Sequence, residues 1–130
     1  MKIAVPIWND KISPVFDTAS RLLIINTKNL SEIERFEIYL GEQDISKRCL
    51  LIHGLKVNVL ICGAISRSFS MMLMSTGVKI ISGISGLAED VISAYLHGSL
   101  SNSKFLMPGC KTNISEQIND KERGRINFIK

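Results

Sequence analysis

Apolar and polar positions change their rhythm part-way along this chain. Residues Lys2 to Trp8 (KIAVPIW) form a nearly unbroken apolar run, the pattern of a strand covered on both faces. Pro6 within it predicts that one side of the backbone lacks a ladder partner there. Turn formers fill Asn9 to Ser20, with Pro14 in the middle. Arg21 to Thr27 (RLLIINT) reads as a second strand, and Ser31 to Leu40 (SEIERFEIYL) as a third with one wet face. Only a short gap containing Asn29 separates these two, which predicts an antiparallel hairpin.

From Asp44 the period lengthens to that of a helix. Asp44 is a candidate N-cap, and Ile45, Cys49 and Ile52 recur at helical spacing before Gly54. Val57 to Cys62 (VNVLIC) is a fourth strand that runs through Gly63 into a helix over Ser66 to Ser75. Phe69, Met72 and Leu73 form its stripe, and the cluster Met71, Met72 and Met74 reads as core filling. Val78 to Ile81 is a fifth strand, followed by Ser82-Gly83-Ile84-Ser85-Gly86. A third helix carries Glu89 and Asp90 in its first turn and Leu87, Val91, Ile92 and Tyr95 on its apolar face. His53 and His97 each precede a glycine that ends a helix, where an imidazole suits the C-terminal dipole.

This order predicts an α/β sandwich, with a mixed five-stranded sheet, an antiparallel hairpin and three helices. Right-handed crossovers put the ends of the first, fourth and fifth strands on one edge. The loops Asn9 to Asp17, Cys62 to Arg67 and Ser82 to Gly86 meet there. Two of them end at helix N-termini, whose free N–H groups predict an anion site. From Ser99 the composition shifts to Ser, Asn, Lys and Arg, interrupted by Phe105 to Cys110 (FLMPGC). The expected division is one domain over residues 1–98 and a polar, basic tail over 99–130.

Length and composition narrow the function classes. The 130 residues suffice for one core, and 45% apolar with 22% charged residues describe a soluble globular chain. No apolar run reaches membrane-span length, and the opening residues read as a strand rather than a signal peptide. A cytoplasmic location is expected. Three widely spaced cysteines, Cys49, Cys62 and Cys110, with no CxxC pair, argue against a disulfide framework and a self-contained zinc site. The net charge of +4 favours an anionic partner. No Walker loop or GxGxxG is present, and the core strands lack the carboxylates that two-metal nuclease chemistry needs. A non-enzymatic role is expected.

The segments KIAVPIWNDKISPVFD, ICGAIS, SGISG and FLMPGC together resemble the dinitrogenase iron-molybdenum cofactor biosynthesis family, over roughly Met1 to Gly98. The resemblance implies a ribonuclease-H-like three-layer fold. It also implies a carrier or accessory role for an iron–sulfur or iron–molybdenum-type cluster or precursor, with iron–sulfur assembly or ATPase proteins as partners. Cluster-binding members often carry a histidine followed by Phe-Gly in the first loop. Here Val15, Phe16 and Asp17 occupy that segment, so only Ser13 and Phe16 fit.

The expected cargo-binding residues are Ser13, Phe16, Gly63, Ser66, Arg67 and Gly83, with Cys62 and Cys110 as metal ligands. Cys62 reads either as a thiolate whose pKa a helix start lowers or as a buried core residue. Cys110 follows Pro108-Gly109 in a polar tail, where no core demands a thiol. Two thiolates cannot complete a four-cysteine site, which leaves other ligands, the precursor's own sulfides or a homodimer. The alternatives are a phosphate-bearing small molecule at the helix N-termini and nucleic acid on the basic tail.

Overall fold

In the computed structural model, which describes residues 1–101 and 103–108, six strands form one mixed sheet. They are β1 (Lys2–Trp8), β2 (Lys11–Ile12), β3 (Arg21–Lys28), β4 (Ser31–Tyr39), β5 (Val59–Ile61) and β6 (Lys79–Ile81). Their order is β4-β3-β1-β5-β6, with β2 pairing β1. The hairpin β3–β4 is antiparallel to β1, while β5 and β6 run parallel to it. The expected five-stranded sheet therefore gains a strand. β2 folds back on the end of β1 through Ile7↔Ile12 and Trp8↔Lys11, a two-residue pairing within a stretch of turn formers.

Three helices complete the layers: α1 (Ile45–Gly54), α2 (Arg67–Ser75) and α3 (Ala88–Leu96). Strand periodicity divides the core between the two faces. Ile3, Val5, Leu23, Ile25, Val59, Ile61 and Ile81 bury against Val91 and Ile92 of α3. Ala4, Leu22, Ile24, Leu60 and Ile80 bury against Ile52 of α1 and Phe69 and Leu73 of α2. Asp44 caps α1 as expected, accepting from Lys47 N, and Ser66, read as the first residue of its helix, instead caps α2 and accepts from Phe69 N. Lys56, not Gly54, takes the left-handed conformation after α1 (φ 59°). Met71 and Met74 face outward on α2, so they do not fill the core as expected. Pro6 lies past the end of the β1–β5 ladder, which pairs Ile3↔Val59 and Ala4↔Leu60, so no partner strand there needs the N–H that proline lacks.

β4 departs from expectation. Instead of one wet face, it is exposed along nearly its whole length, because it is the sheet edge beyond the cover of the helices. The turn before it has two residues, Asn29 and Leu30, both with positive φ (55° and 64°), the primed geometry of tight hairpins. Asparagine tolerates that conformation and leucine does not. Leu30 is exposed, so no packing offsets the strain. Leu30→Gly is expected to stabilise the fold by about 1 kcal/mol, read as a raised urea midpoint with unchanged slope.

Leu100 and Phe105 bury in the α3-side core, and Leu106 bridges Ile84. Among the described residues, no helix is long and apolar enough to cross a membrane.

Candidate functional site

Parallel β1, β5 and β6 bring their C-terminal ends to one edge, and the three expected loops do meet there. Backbone hydrogen bonds stitch them together. Ala64 N donates to Pro14 O (2.8 Å), and Phe16 N donates back to Ala64 O (2.8 Å). Gly83 N donates to Gly63 O (2.9 Å), Ile84 N to Cys62 O (3.0 Å) and Ile12 N to Gly86 O (2.9 Å). Met107 N donates to Gly83 O (2.8 Å), so the chain passes this edge as it approaches Pro108.

The predicted residues divide into builders and exposed groups. Phe16 is fully buried, its ring 4.7 Å from that of Phe69. Ser13 is buried, with its N–H on Pro6 O (2.9 Å) and its hydroxyl 3.4 Å from Val15 O. Gly63 sits under the first loop, and Gly83 turns the third with φ 77°. Ser66 and Arg67, at the start of α2, are exposed. Cys110 lies outside the described residues.

Of the two readings of Cys62, its burial fits the core residue and not the thiolate with a lowered pKa. Its side chain has no exposure and belongs to the core facing α1 and α2, one strand period from Leu60. Burial, helped by the negative charge of Asp17, pushes the thiol up from its ordinary 9.0 to about 12. It is a neutral thiol in the folded protein. Iodoacetamide at pH 8 is therefore expected to leave Cys49 and Cys62 unmodified in the folded chain and to label both in urea, as read by peptide mass mapping. Because the folded pKa is raised, the associated stability is complete below about pH 9. It is lost as pH rises from 9 toward 12, at up to about 1.4 kcal/mol per unit, and Cys62→Ala removes that slope.

The open helix starts also need correction. Asp17 Oδ1 accepts from Ser66 N (2.8 Å), placing a carboxylate at the N-terminus of α2. Asp10 O accepts from Ala88 N (2.8 Å), and Glu89 and Asp90 occupy the first turn of α3. The chain's own acidic groups thus complement both dipoles, so these helix starts are not open as expected.

A feature that the sequence reading missed is an exposed apolar wall beside the first loop. Trp8 (59% exposed) and Val15 (39%) line a hollow of about 280 Å³ with Ser13, Pro14 and Thr18. The available signal was a large aromatic at the end of a strand, leading directly into turn formers. Among the described residues, no group of three or more His, Cys, Asp or Glu is placed to hold a metal ion.

Taken together, these features define a small three-layer α/β domain with a tightly bonded loop edge and an exposed apolar wall beside it. The profile of the Dinitrogenase iron-molybdenum cofactor family matches residues 1–98, and the chain belongs to that family. No curated protein matches the chain. Among solved structures, a dinitrogenase candidate from Methanocaldococcus jannaschii is 23% identical with a TM-score of 0.62, covering 76% of this chain and 90% of that one. The apo orange protein from Desulfovibrio gigas is 16% identical with a TM-score of 0.64, covering 75% and 88%. A candidate NifB protein from Thermotoga is 21% identical with a TM-score of 0.59, covering 75% and 89%. At these identities the likenesses speak for the fold.

Proposed function

We propose that this protein is a non-enzymatic carrier or accessory protein whose cargo is an iron–sulfur or iron–molybdenum-type cluster, or a precursor of one. The observation that carries this reading is the family match over residues 1–98, a span that contains all three loops of the edge. The strand order β4-β3-β1-β5-β6 is read here as ribonuclease-H-like. A cytoplasmic location and delivery to iron–sulfur assembly or ATPase proteins belong to the same reading.

The sealed loops imply that the cargo rests on the edge rather than inside it. Trp8, Pro14 and Val15 offer it a surface that excludes water, and Arg67 offers positive charge to an anionic species. Cys110 is the thiol assigned to it. In sequence it follows Pro108 by two residues. Cys62 contributes packing beneath the loops as a neutral thiol.

Anaerobic incubation with ferrous iron and sulfide, with and without thiomolybdate, tests the proposal. The expected result is metal retained through desalting, visible charge-transfer absorbance and quenched emission of Trp8, the single tryptophan. Cys110→Ala and Arg67→Glu should each weaken retention by roughly tenfold or more, whereas Cys62→Ala should retain the cargo. A chain that emerges free of iron and molybdenum, or one indifferent to both Cys110→Ala and Arg67→Glu, would overturn it.

A further inference from the structure

The edge strand β4 points to a second copy of this chain. It is nine residues long, has no strand on its outer side among the described residues, and carries neither proline nor lysine. Those are two of the devices that protect natural edges from pairing; β4 carries two others, the charges of Glu32, Glu34, Arg35 and Glu37 and a bulge near its start, so register decides the outcome. It exposes Ile33 (59%), Phe36 (41%) and Tyr39 (72%). The bulge in the β3–β4 ladder is confined to Asn26/Thr27, so the stretch from Glu34 to Tyr39 is regular. The opposite edge, β6, has only three residues.

Register decides whether such an edge can pair with itself. Glu37 lies opposite Leu23, Arg35 opposite Ile25 and Tyr39 opposite Arg21, which sets them on the α3 side. Phe36 and Ile38 lie opposite Ile24 and Leu22, on the other side. A two-fold axis normal to the sheet keeps each residue on its own side, so it must centre on one residue facing its own copy. Centring on Arg35, Glu37 or Glu34 sets like charges against each other at the axis, which is unfavourable. Centring on Phe36 sets Phe36 against its own copy, Glu34 against the partner subunit's Ile38, and Arg35 against the partner subunit's Glu37. Arg35 is already bonded to Glu32 and Glu89 of its own chain and Glu37 to Arg21, so the pairing across the axis extends existing ion pairs rather than completing an unpaired charge.

We propose that two copies of this chain pair antiparallel through β4, centred on Phe36, into one continuous sheet. This is independent of the cargo. Opposed strand residues stand about 4.5 to 5.5 Å apart at Cα, within the roughly 4.4 to 6.8 Å that a disulfide spans.

The test uses the full chain in sedimentation and light scattering from about 10 to 200 µM, together with mild oxidation of single-cysteine additions judged against the unsubstituted chain. The expected result is a concentration-dependent dimer. Phe36→Glu should be a monomer that keeps its circular dichroism and cooperative melting. Phe36→Cys should form a covalent dimer at several times the yield of Glu34→Cys. A monomer at every concentration overturns the proposal. So does a dimer that persists in Phe36→Glu, or cross-linking of Phe36→Cys no greater than in the unsubstituted chain or in Glu34→Cys.

Discussion

Arg48→Ala is expected to cost about 4 kcal/mol in urea denaturation. Arg48 is charged yet only 2% exposed, in the middle of the face that α1 turns inward. Among the described residues its guanidinium reaches no carboxylate and is satisfied by main-chain carbonyls. Nε donates to Gln43 O (2.9 Å), Nη1 to Phe16 O (3.2 Å) and Ala19 O, and Nη2 to Gly41 O (3.2 Å). Burial lowers its pKa, and the charge of Asp17 opposes that shift. An arginine starts so high that it stays protonated. The residue therefore ties the first loop and the turn before α1 to the helix at once. Alanine removes the guanidinium from four carbonyls in two segments, of which Phe16 O alone keeps another donor here, Ala19 N (3.1 Å), besides the lost packing of the side-chain stem. Lysine cannot replace it, because its three donors sit on one nitrogen and cannot span carbonyls so distributed. Arg48→Lys should recover less than half of the loss. A loss under about 1 kcal/mol for Arg48→Ala would mean that water satisfies those carbonyls and that the clamp is not structural.

Arg48 also shows where the sequence was readable and where it was not. It follows Ile45 by three residues and precedes Ile52 by four, so it falls on the same helical stripe as Cys49. The spacing marked it as inward, but its charge argued for solvent, and only the carbonyls of distant segments resolve that conflict. Local signals located the hairpin, the cap at Asp44 and the three helices, because each depends on neighbours in the chain. β2 was hidden because two residues carry no period, and its pairing with β1 follows from the loop returning over the strand. β4 looked half-buried from its mixed composition, yet its exposure depends on where the helices end, which no local pattern records. At the loop edge, chain order and handedness were enough to bring the three loops together. The acids that occupy the helix starts were not foreseen, since Asp17 reaches Ser66 across 49 positions. The same distance effect governs Cys62, where a strand end was legible but closure of the first loop above it was not.

That closure depends on Gly63, and Gly63→Ala is expected to lose about 3 kcal/mol of stability. The reason is proximity rather than backbone angle. A Cβ on Gly63 would stand 2.7 Å from both Ser13 O and Pro14 O, well inside van der Waals contact with two main-chain atoms. Neither oxygen can swing aside as a side chain would. Pro14 O accepts from Ala64 N (2.8 Å), and Ser13 is fixed through its own N–H to Pro6 O (2.9 Å). Relief therefore requires the first loop to lift as a unit, breaking the exchanged bonds between Ala64 and the loop and uncovering Phe16 and Cys62. Two readings separate this from general destabilisation. In Gly63→Ala, Cys62 should become alkylable by iodoacetamide under conditions where the fold persists by circular dichroism. Cargo retention should fall with it, because Trp8, Pro14 and Val15 would no longer stand at the edge. Gly54→Ala is the matched control: a Cβ there meets nothing within 4 Å, so stability should be unchanged or slightly raised. If Gly63→Ala matched that control in both stability and Cys62 protection, the close approach of the first loop to β5 would not be what seals this edge.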